Sequence, residues 1–280
     1  MGKPSVLVVN SLVARGSVGG RASVFALERL GFPVIFVPTV MFPWHLGHGR
    51  ATRVAPDAAG FESLLADIAG AAWLGEVGAV LTGYFGRADQ VAPAARLVAA
   101  VKAANKRSIH LCDPIIGDTG GLFQPEALAA AIRDQLLPLA DVATPNDFEL
   151  HWLTGMDGDS IAAARELRPG EVVVTSAAAD RLSATIETLV TAPEGSFRIA
   201  HRWLPENAVH GTGDLFAALY LGHRLDGAAP QDAAASAAAS VYSLLEMANR
   251  VGLDELPLAA GQDAMVAQPT GVTVTKLAEG

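Results

Sequence analysis

The segment His210-Gly-Thr-Gly-Asp-Leu-Phe-Ala-Ala-Leu-Tyr220 starts a helix with two glycines and a carboxylate, then turns apolar from Leu215 onward. Gly211 and Gly213 let the backbone turn its N–H groups toward one point. The first turn of a helix adds N–H donors without intrahelical acceptors, at the positive end of the dipole. Gly211, Thr212 and Gly213 are therefore predicted to form an anion hole, with Asp214 beside it. An aspartate in that place is expected to stay ionised, because the dipole favours the charged form. Next to bound phosphates, an ionised carboxylate can take the proton from an attacking alcohol. A plain helix N-terminus with an acidic cap has the same local pattern, so the rest of the chain must decide.

Upstream of this segment, short apolar runs alternate with helical patterns. Strands are predicted at 6–9, 34–37, 77–81, 108–112, 142–144 and 171–175. Helices are predicted at 22–30, 57–72, 89–104, 126–136, 146–153 and 160–167. The strand runs are apolar on both parities, as in strands buried on both faces, and parallel strands need crossover helices of this kind. Runs at 183–191 and 196–203 alternate and are joined through Pro193-Glu-Gly195, which predicts an antiparallel hairpin. Helices at 214–223 and 230–249 complete the pattern. The expected fold is a three-layer α/β/α domain, with a mostly parallel central sheet and an antiparallel edge hairpin. No charge run, linker or fixed-period repeat divides it, so residues 1–280 read as one domain. Ligands of such sheets bind at the carboxyl ends of the strands, which selects the loops that carry function.

Twenty basic against 29 acidic residues give a net charge of −9. That argues against nucleic acid as partner, since phosphate backbones are bound through clustered Lys and Arg. The single cysteine, Cys112, excludes an intramolecular disulfide and suits a reducing cytoplasm. The apolar run near the N-terminus is too short for a signal peptide. The most apolar helical stretch, 233–248, is too short and too polar to span a membrane.

Two strand-end loops carry further acid groups. Cys112-Asp-Pro-Ile-Ile-Gly-Asp118 supplies Asp113 and Asp118, and Thr144-Pro-Asn-Asp-Phe-Glu149 supplies Glu149. Hard carboxylates suit Mg²⁺, which binds one or two protein oxygens together with water and substrate phosphates. Asn146 and Glu149 also have the spacing of a capping box, and Asp-Pro and Gly-Asp are common turn sequences. His45 and His48 lie in an aromatic loop, Phe42-Pro-Trp-His-Leu-Gly-His48, without a second His/Cys pair to complete a zinc site. Their expected role is stacking or hydrogen bonding to a planar polar molecule. His110 and His151 fall in regular elements and read as structural.

Taken together, these segments resemble the pyridoxal kinase branch of the ribokinase-like kinases. Gly211-Thr-Gly-Asp214 is similar to the superfamily signature. Asp113-Pro-Ile-Ile-Gly-Asp118 and Thr144-Pro-Asn-x-x-Glu149 are similar to the branch pattern. The segments at Ser11 to Gly19, Thr39 to Phe42, His45 and Thr82-Gly-Tyr84 resemble its pyridoxal pocket, in order from residue 5 to about 250. The resemblance implies a ribokinase-like fold and ATP-dependent phosphorylation of the 5′-hydroxymethyl group of pyridoxal, with pyridoxine and pyridoxamine as further substrates, in vitamin B6 salvage. It implies Asp214 as the base and Asp113 and Glu149 as Mg²⁺ positions, directly or through water. Asp113, Asp118, Thr144, Asn146, Glu149 and Thr175 would bind ATP. Ser11, Val18, Thr39, Phe42, His45, Tyr84 and Asp214 would bind the vitamer. It further implies a homodimer and leaves room for a monovalent cation. A kinase for another hydroxymethyl heterocycle, such as hydroxymethylpyrimidine, and a non-catalytic ligand-binding paralogue stay open. The chain departs from the pattern at Gly20, at the loop 43–49 and at Thr175-Ser176, where many members have a basic residue for the nucleotide; Arg181 is a candidate substitute.

Overall fold

Successive side chains of the first strand, β1 (Ser5–Val13), divide between two cores. Val6 and Val8 join a cluster with residues of α1 (Gly20–Arg29), α7 (Thr212–Leu225) and α8 (Pro230–Val251). Leu7 and Val9 join the opposite cluster, with α2 (Ala58–Ala69), α3 (Val91–Ala104) and α4 (Glu126–Ala131). The strand period of two thus makes a sheet covered on both faces. The structure is a computed structural model, described over residues 2–180, 184–204 and 209–278.

β1 lies between β2 (Val34–Phe42) and β3 (Val77–Thr82), both parallel to it. Parallel pairing continues through β4 (Ile109–Cys112), β7 (Val142–Ala143) and β8 (Glu171–Asp180). Beyond β8 the sheet turns antiparallel with β9 (Thr185–Ala192), β10 (Gly195–Arg202) and β11 (Val272–Lys276). Among the described residues this is a nine-stranded sheet in the order β11-β10-β9-β8-β7-β4-β3-β1-β2. α5 (Asp147–Thr154) and α6 (Ser160–Glu166) cover the β8–β9 region through Leu150, Ala163 and Ala164. The three-layer, mostly parallel architecture expected from the sequence is the one observed.

Alanine explains how α7 and α8 lie against the sheet and each other. Ala233, Ala234, Ala237 and Ala238 are buried in α8, and Ala217 and Ala218 in α7. Small side chains let helix backbones approach closely. On α7, a Cβ at Gly222 would lie 2.4 Å from the Leu30 side chain.

The structure differs from the sequence expectation at several ends. β1 does not stop at Asn10 but runs to Val13, with a register shift between Asn10 and Leu12 against β2. Such irregularities re-aim side chains near sites. β2 continues to Phe42 and β8 to Asp180. The 113–123 loop contains a small hairpin, β5 (Gly117–Asp118) with β6 (Gly121–Leu122). The outermost strand, β11, had no sequence-level prediction. Arg181 and the predicted strand start at Ser183 lie outside the described residues.

Candidate active site

The carboxyl ends of the parallel strands set the site residues in spatial order. Thr175 ends the β8 side, followed by Thr144 and Asn146 after β7, Asp113 after β4, Tyr84 after β3, Ser11 on β1, and Phe42 on β2. The first turn of α7 meets β1, where Asn10 bonds Asp214.

A cavity of about 410 Å³ occupies the β1–β2–β3 half of this edge, lined by Ser11, Val18, Phe42, His45, Tyr84 and Asp214 among others. Val13, Val18 and Phe42 give it an apolar wall, and they cluster with the buried Val40 and with Tyr84. The Phe42 and Tyr84 rings meet edge to face at 6.3 Å.

Asp214 is held at this cavity by two donors. Asn10 Nδ2 donates to Oδ1 at 3.0 Å, and the Gly19 backbone N–H donates to Oδ2 at 2.8 Å. Asn10 is fully buried and works in both directions, because its Oδ1 accepts from the N–H groups of Ser11 (2.7 Å) and Tyr84 (3.0 Å). A single amide therefore fixes Asp214, the Ser11 segment and the Tyr84 segment. Burial works against the ionised form of Asp214 that the helix dipole was expected to favour. Burial pushes its carboxyl above the usual range, and the Gly19 and Asn10 hydrogen bonds offset part of that rise.

Gly211 is the N-cap of α7 at φ 91°, in the left-handed region, and a Cβ there would lie 2.0 Å from the Ser17 carbonyl oxygen. Thr212, Gly213 and Asp214 follow as the first three helical residues, whose N–H groups have no acceptor within the helix. The first intrahelical bond is Leu215 N–H to the Gly211 carbonyl. Gly211, Thr212 and Gly213, the residues expected to form an anion hole, thus stand at the helix start next to Asp214.

Toward β4 and β7 the site becomes acidic. Asp113 is buried, and burial together with the nearby charges of Glu149 and Asp214 raises its carboxyl well above the ordinary range. Glu149 is buried too and pushed up to about 7, chiefly by burial. Its carboxylate accepts from the N–H groups of Ile116 (2.8 Å), Gly117 (3.3 Å) and Asn146 (2.9 Å). The capping box exists, since Asn146 Oδ1 accepts from Glu149 N–H at 2.9 Å. It also acts over distance: Glu149 and Asn146, whose Nδ2 donates to the Gly117 carbonyl, clamp the 113–118 loop onto α5. That clamp holds Ile115 at φ 40°, a conformation a β-branched residue rarely adopts.

One assignment changes. Thr39 does not line the cavity. It is fully buried, and its hydroxyl donates to the Tyr84 carbonyl at 2.7 Å, so it braces a wall residue instead. Asp118, expected near the nucleotide, lines the cavity. His45 is at the cavity, and its Nδ1 accepts from the Gly47 N–H at 3.0 Å. Burial and the neighbouring His210 lower its pKa to about 4, so the ring is neutral with its proton on Nε2, available to donate. Thr144, Asn146, Glu149 and Thr175 gather on the β7–β8 side, outside the cavity lining. Sequence reasoning missed Asn10, the Gly19 amide, Ile115, Phe123 and His210. Only Asn10 carried a local signal, as the polar residue interrupting a buried strand.

Known proteins resemble this chain in sequence and fold. The family described as Phosphomethylpyrimidine kinase matches residues 65–259. The pyridoxal kinase PdxY of Rubrobacter xylanophilus is 38% identical over 98% of both chains. The PdxY of Deinococcus radiodurans is 37% identical, over 92% of this chain and 91% of its own. Among solved structures, pyridoxal kinase from Leishmania donovani in complex with ADP and pyridoxine superposes with a TM-score of 0.89 at 28% identity, covering 98% of this chain and 99% of that one. With 38% identity to a pyridoxal kinase over 98% of the chain and a shared fold, this chain belongs to the pyridoxal kinase family.

Proposed function

We propose that the chain phosphorylates pyridoxal on its 5′-hydroxymethyl oxygen with ATP as donor, and accepts pyridoxine and pyridoxamine in the same cavity. One observation carries this reading. The Asp214 carboxylate, oriented by Asn10 and Gly19, sits at the cavity and at the N-terminus of α7 at once. A hydroxyl in the cavity and a phosphoryl group at the helix start would meet there.

In the reaction, Asp214 takes the hydroxyl proton as that oxygen bonds to the terminal phosphorus. The bond from that phosphorus to the bridging oxygen breaks, and ADP leaves with the electron pair. The N–H groups of Thr212, Gly213 and Asp214 hold the charge on the transferring group. Such transfer asks mainly for alignment and charge neutralisation. His45 offers its Nε2 proton to a ring substituent, while Phe42, Val18 and Tyr84 enclose the ring.

The acidic side fits a divalent cation. Glu149 raises the cost of charging Asp113, Asp118 raises that of Glu149, and no Lys, Arg or His forms an ion pair with Asp113 or Glu149 among the described residues. The buried Thr144 hydroxyl neighbours Asp113 and favours its charged form. Asp113 would hold Mg²⁺, with Glu149 acting through water because its oxygens already accept three backbone bonds; a bound Mg²⁺ would neutralise phosphate charge. Asp118, Asn146 and Thr175 would flank the nucleotide, with room for a monovalent cation. The same reading takes residues 1–280 as one kinase domain, acting as a cytoplasmic homodimer on a small-molecule substrate. In support, no helix among the described residues is long and apolar enough to cross a membrane.

The test is ATP consumption with pyridoxal, pyridoxine, pyridoxamine and hydroxymethylpyrimidine, comparing wild type with Asp214→Asn. Hydroxymethylpyrimidine belongs in the panel because the matched family is described by the pyrimidine activity. The expected result is turnover of B6 vitamers and a loss of kcat of roughly 10²–10⁴-fold in the variant, the usual contribution of a positioned base. No turnover of any vitamer would remove the reading. Near wild-type activity of Asp214→Asn would remove Asp214 from the base role.

A further inference from the structure

Three segments roof the cavity: the turn after β1 with Val18 and Gly19, the turn after β2 with His45 and Leu46, and the residues before α7 with His210 and Gly211. A fourth segment, after α8, lines no part of the cavity but touches all three through one residue. Glu255 Oε2 accepts from the Ser17 N–H at 2.7 Å, and Oε1 pairs with His48 Nε2 at 3.1 Å. Its backbone forms a bridge with His210. The Glu255 side chain is only 14% exposed, although it lies near the surface. Space is made for it, because a Cβ at Gly16 would stand 2.7 Å from its Oε1.

The pin is rooted. Leu256 and Leu258, directly after Glu255, are buried in the core with α7 and α8, and the Leu256 carbonyl accepts from the Ser17 hydroxyl at 2.7 Å. On the roof side the imidazoles of His45 and His210 overlap at 4.0 Å, which passes the placement of His48 and His210 on to His45. His48 Nδ1 is also 3.6 Å from Asp254, a second, looser hold.

We propose that Glu255 is a positioning residue for the alcohol substrate: by joining Ser17, His48 and the His210 backbone, it sets the spacing of the roof over the ring and so the alignment of its hydroxymethyl group with Asp214. It touches neither substrate nor reacting atoms. The proposal rests on the kinase reading for its kinetic consequence and on geometry alone for the pin.

The test uses the full chain with Glu255→Ala, Glu255→Gln, His48→Ala and the Glu255→Ala/His48→Ala double variant. Glu255→Ala is expected to raise KM for pyridoxal roughly tenfold, the size of one lost charged hydrogen bond. KM for ATP should stay within about twofold, because the pin lies on the alcohol side. Glu255→Gln keeps an acceptor and should recover most of the loss. The double variant should be no worse than Glu255→Ala, as for residues acting in one link. Hydrogen exchange of the peptides covering 14–20 and 43–49 should quicken in Glu255→Ala without substrate. Both KM values rising together, an additive double variant or unchanged exchange would overturn the proposal. If Glu255→Ala does not fold, an unchanged pyridoxal KM in His48→Ala overturns it instead. Absence of vitamer turnover by wild type removes the kinase reading, while the exchange measurement still decides the pin.

Discussion

At the scale of single residues, the site turns on how one carboxylate is kept usable while buried. Desolvation raises Asp214, and the two donors from Asn10 and Gly19 pull it back by favouring the charged form. A base must be ionised to work, so kcat/KM should rise with pH through a group titrating above the ordinary carboxylate range. Replacing Asn10 by Ala removes one of the two donors. The protonated form then gains, and the acid limb should move to higher pH. The same change strands the buried N–H groups of Ser11 and Tyr84, at a cost of roughly 1–3 kcal/mol each. A pH profile of kcat/KM for pyridoxal, measured at a temperature where the variant is folded, checks this. An acid limb that stays in place would show that Asn10 does not tune Asp214. This residue also marks a limit of sequence reading. Asn10 is visible as a polar break in an apolar strand, but its three partners come from residues 1, 74 and 204 positions away, and no local pattern reports that.

At the scale of elements, α7 separates two glycines that the sequence presents as a pair. Gly211 is held at φ 91° against the Ser17 carbonyl, whereas Gly213 has nothing within 4 Å of where a Cβ would stand. Gly211→Ala should lower thermal stability, by roughly 1–3 kcal/mol for a strained left-handed residue, and displace the anion hole. Gly213→Ala should fold at least as well as wild type, since alanine favours a helix by up to about 1 kcal/mol over glycine. Any loss of kcat in Gly213→Ala then reports crowding at the transferring group and not misfolding. Thermal melts beside steady-state kinetics distinguish the cases, and equal melting temperatures for the two variants would contradict the geometry. The start of α7, the capping box of α5 and the alternation of strand and helix were legible because each is written within a few neighbouring residues. That the same box clamps the 113–118 loop was not, because the clamp depends on β4 and β7 pairing side by side. The misplacement of Thr39 has a similar origin. Strand periodicity tells which side chains share a face, but not that its hydroxyl would be spent on the Tyr84 carbonyl.

At the scale of the whole molecule, the sheet divides its labour. The six parallel strands carry every residue of the candidate site that the sheet supplies, and β9, β10 and β11 extend it on the far side of β8. β11 follows a long irregular stretch and pairs with a strand some 75 positions upstream, Val272 opposite His201 and Lys276 opposite Phe197. Its alternation, Val-Thr-Val-Thr-Lys, is short, and most of its side chains are exposed, so it has none of the apolar weight that made the other strands readable. These facts fix what its removal should do. A chain ending at Val266 keeps Glu255, Leu256, Leu258 and Met265, and loses no residue of the cavity. Its kcat and both KM values should therefore stay within about twofold of the full chain. What it loses is cover for β10, whose edge N–H and C=O groups become free to pair with another chain. The truncated protein should scatter more light as concentration rises, and a charge placed at Ile199 would not mend this, because that side chain is buried in the core. Kinetics and light scattering on one preparation read both halves of the prediction. A soluble truncated chain with impaired catalysis would mean that the antiparallel strands are coupled to the site through β8, against the division of labour that the topology implies.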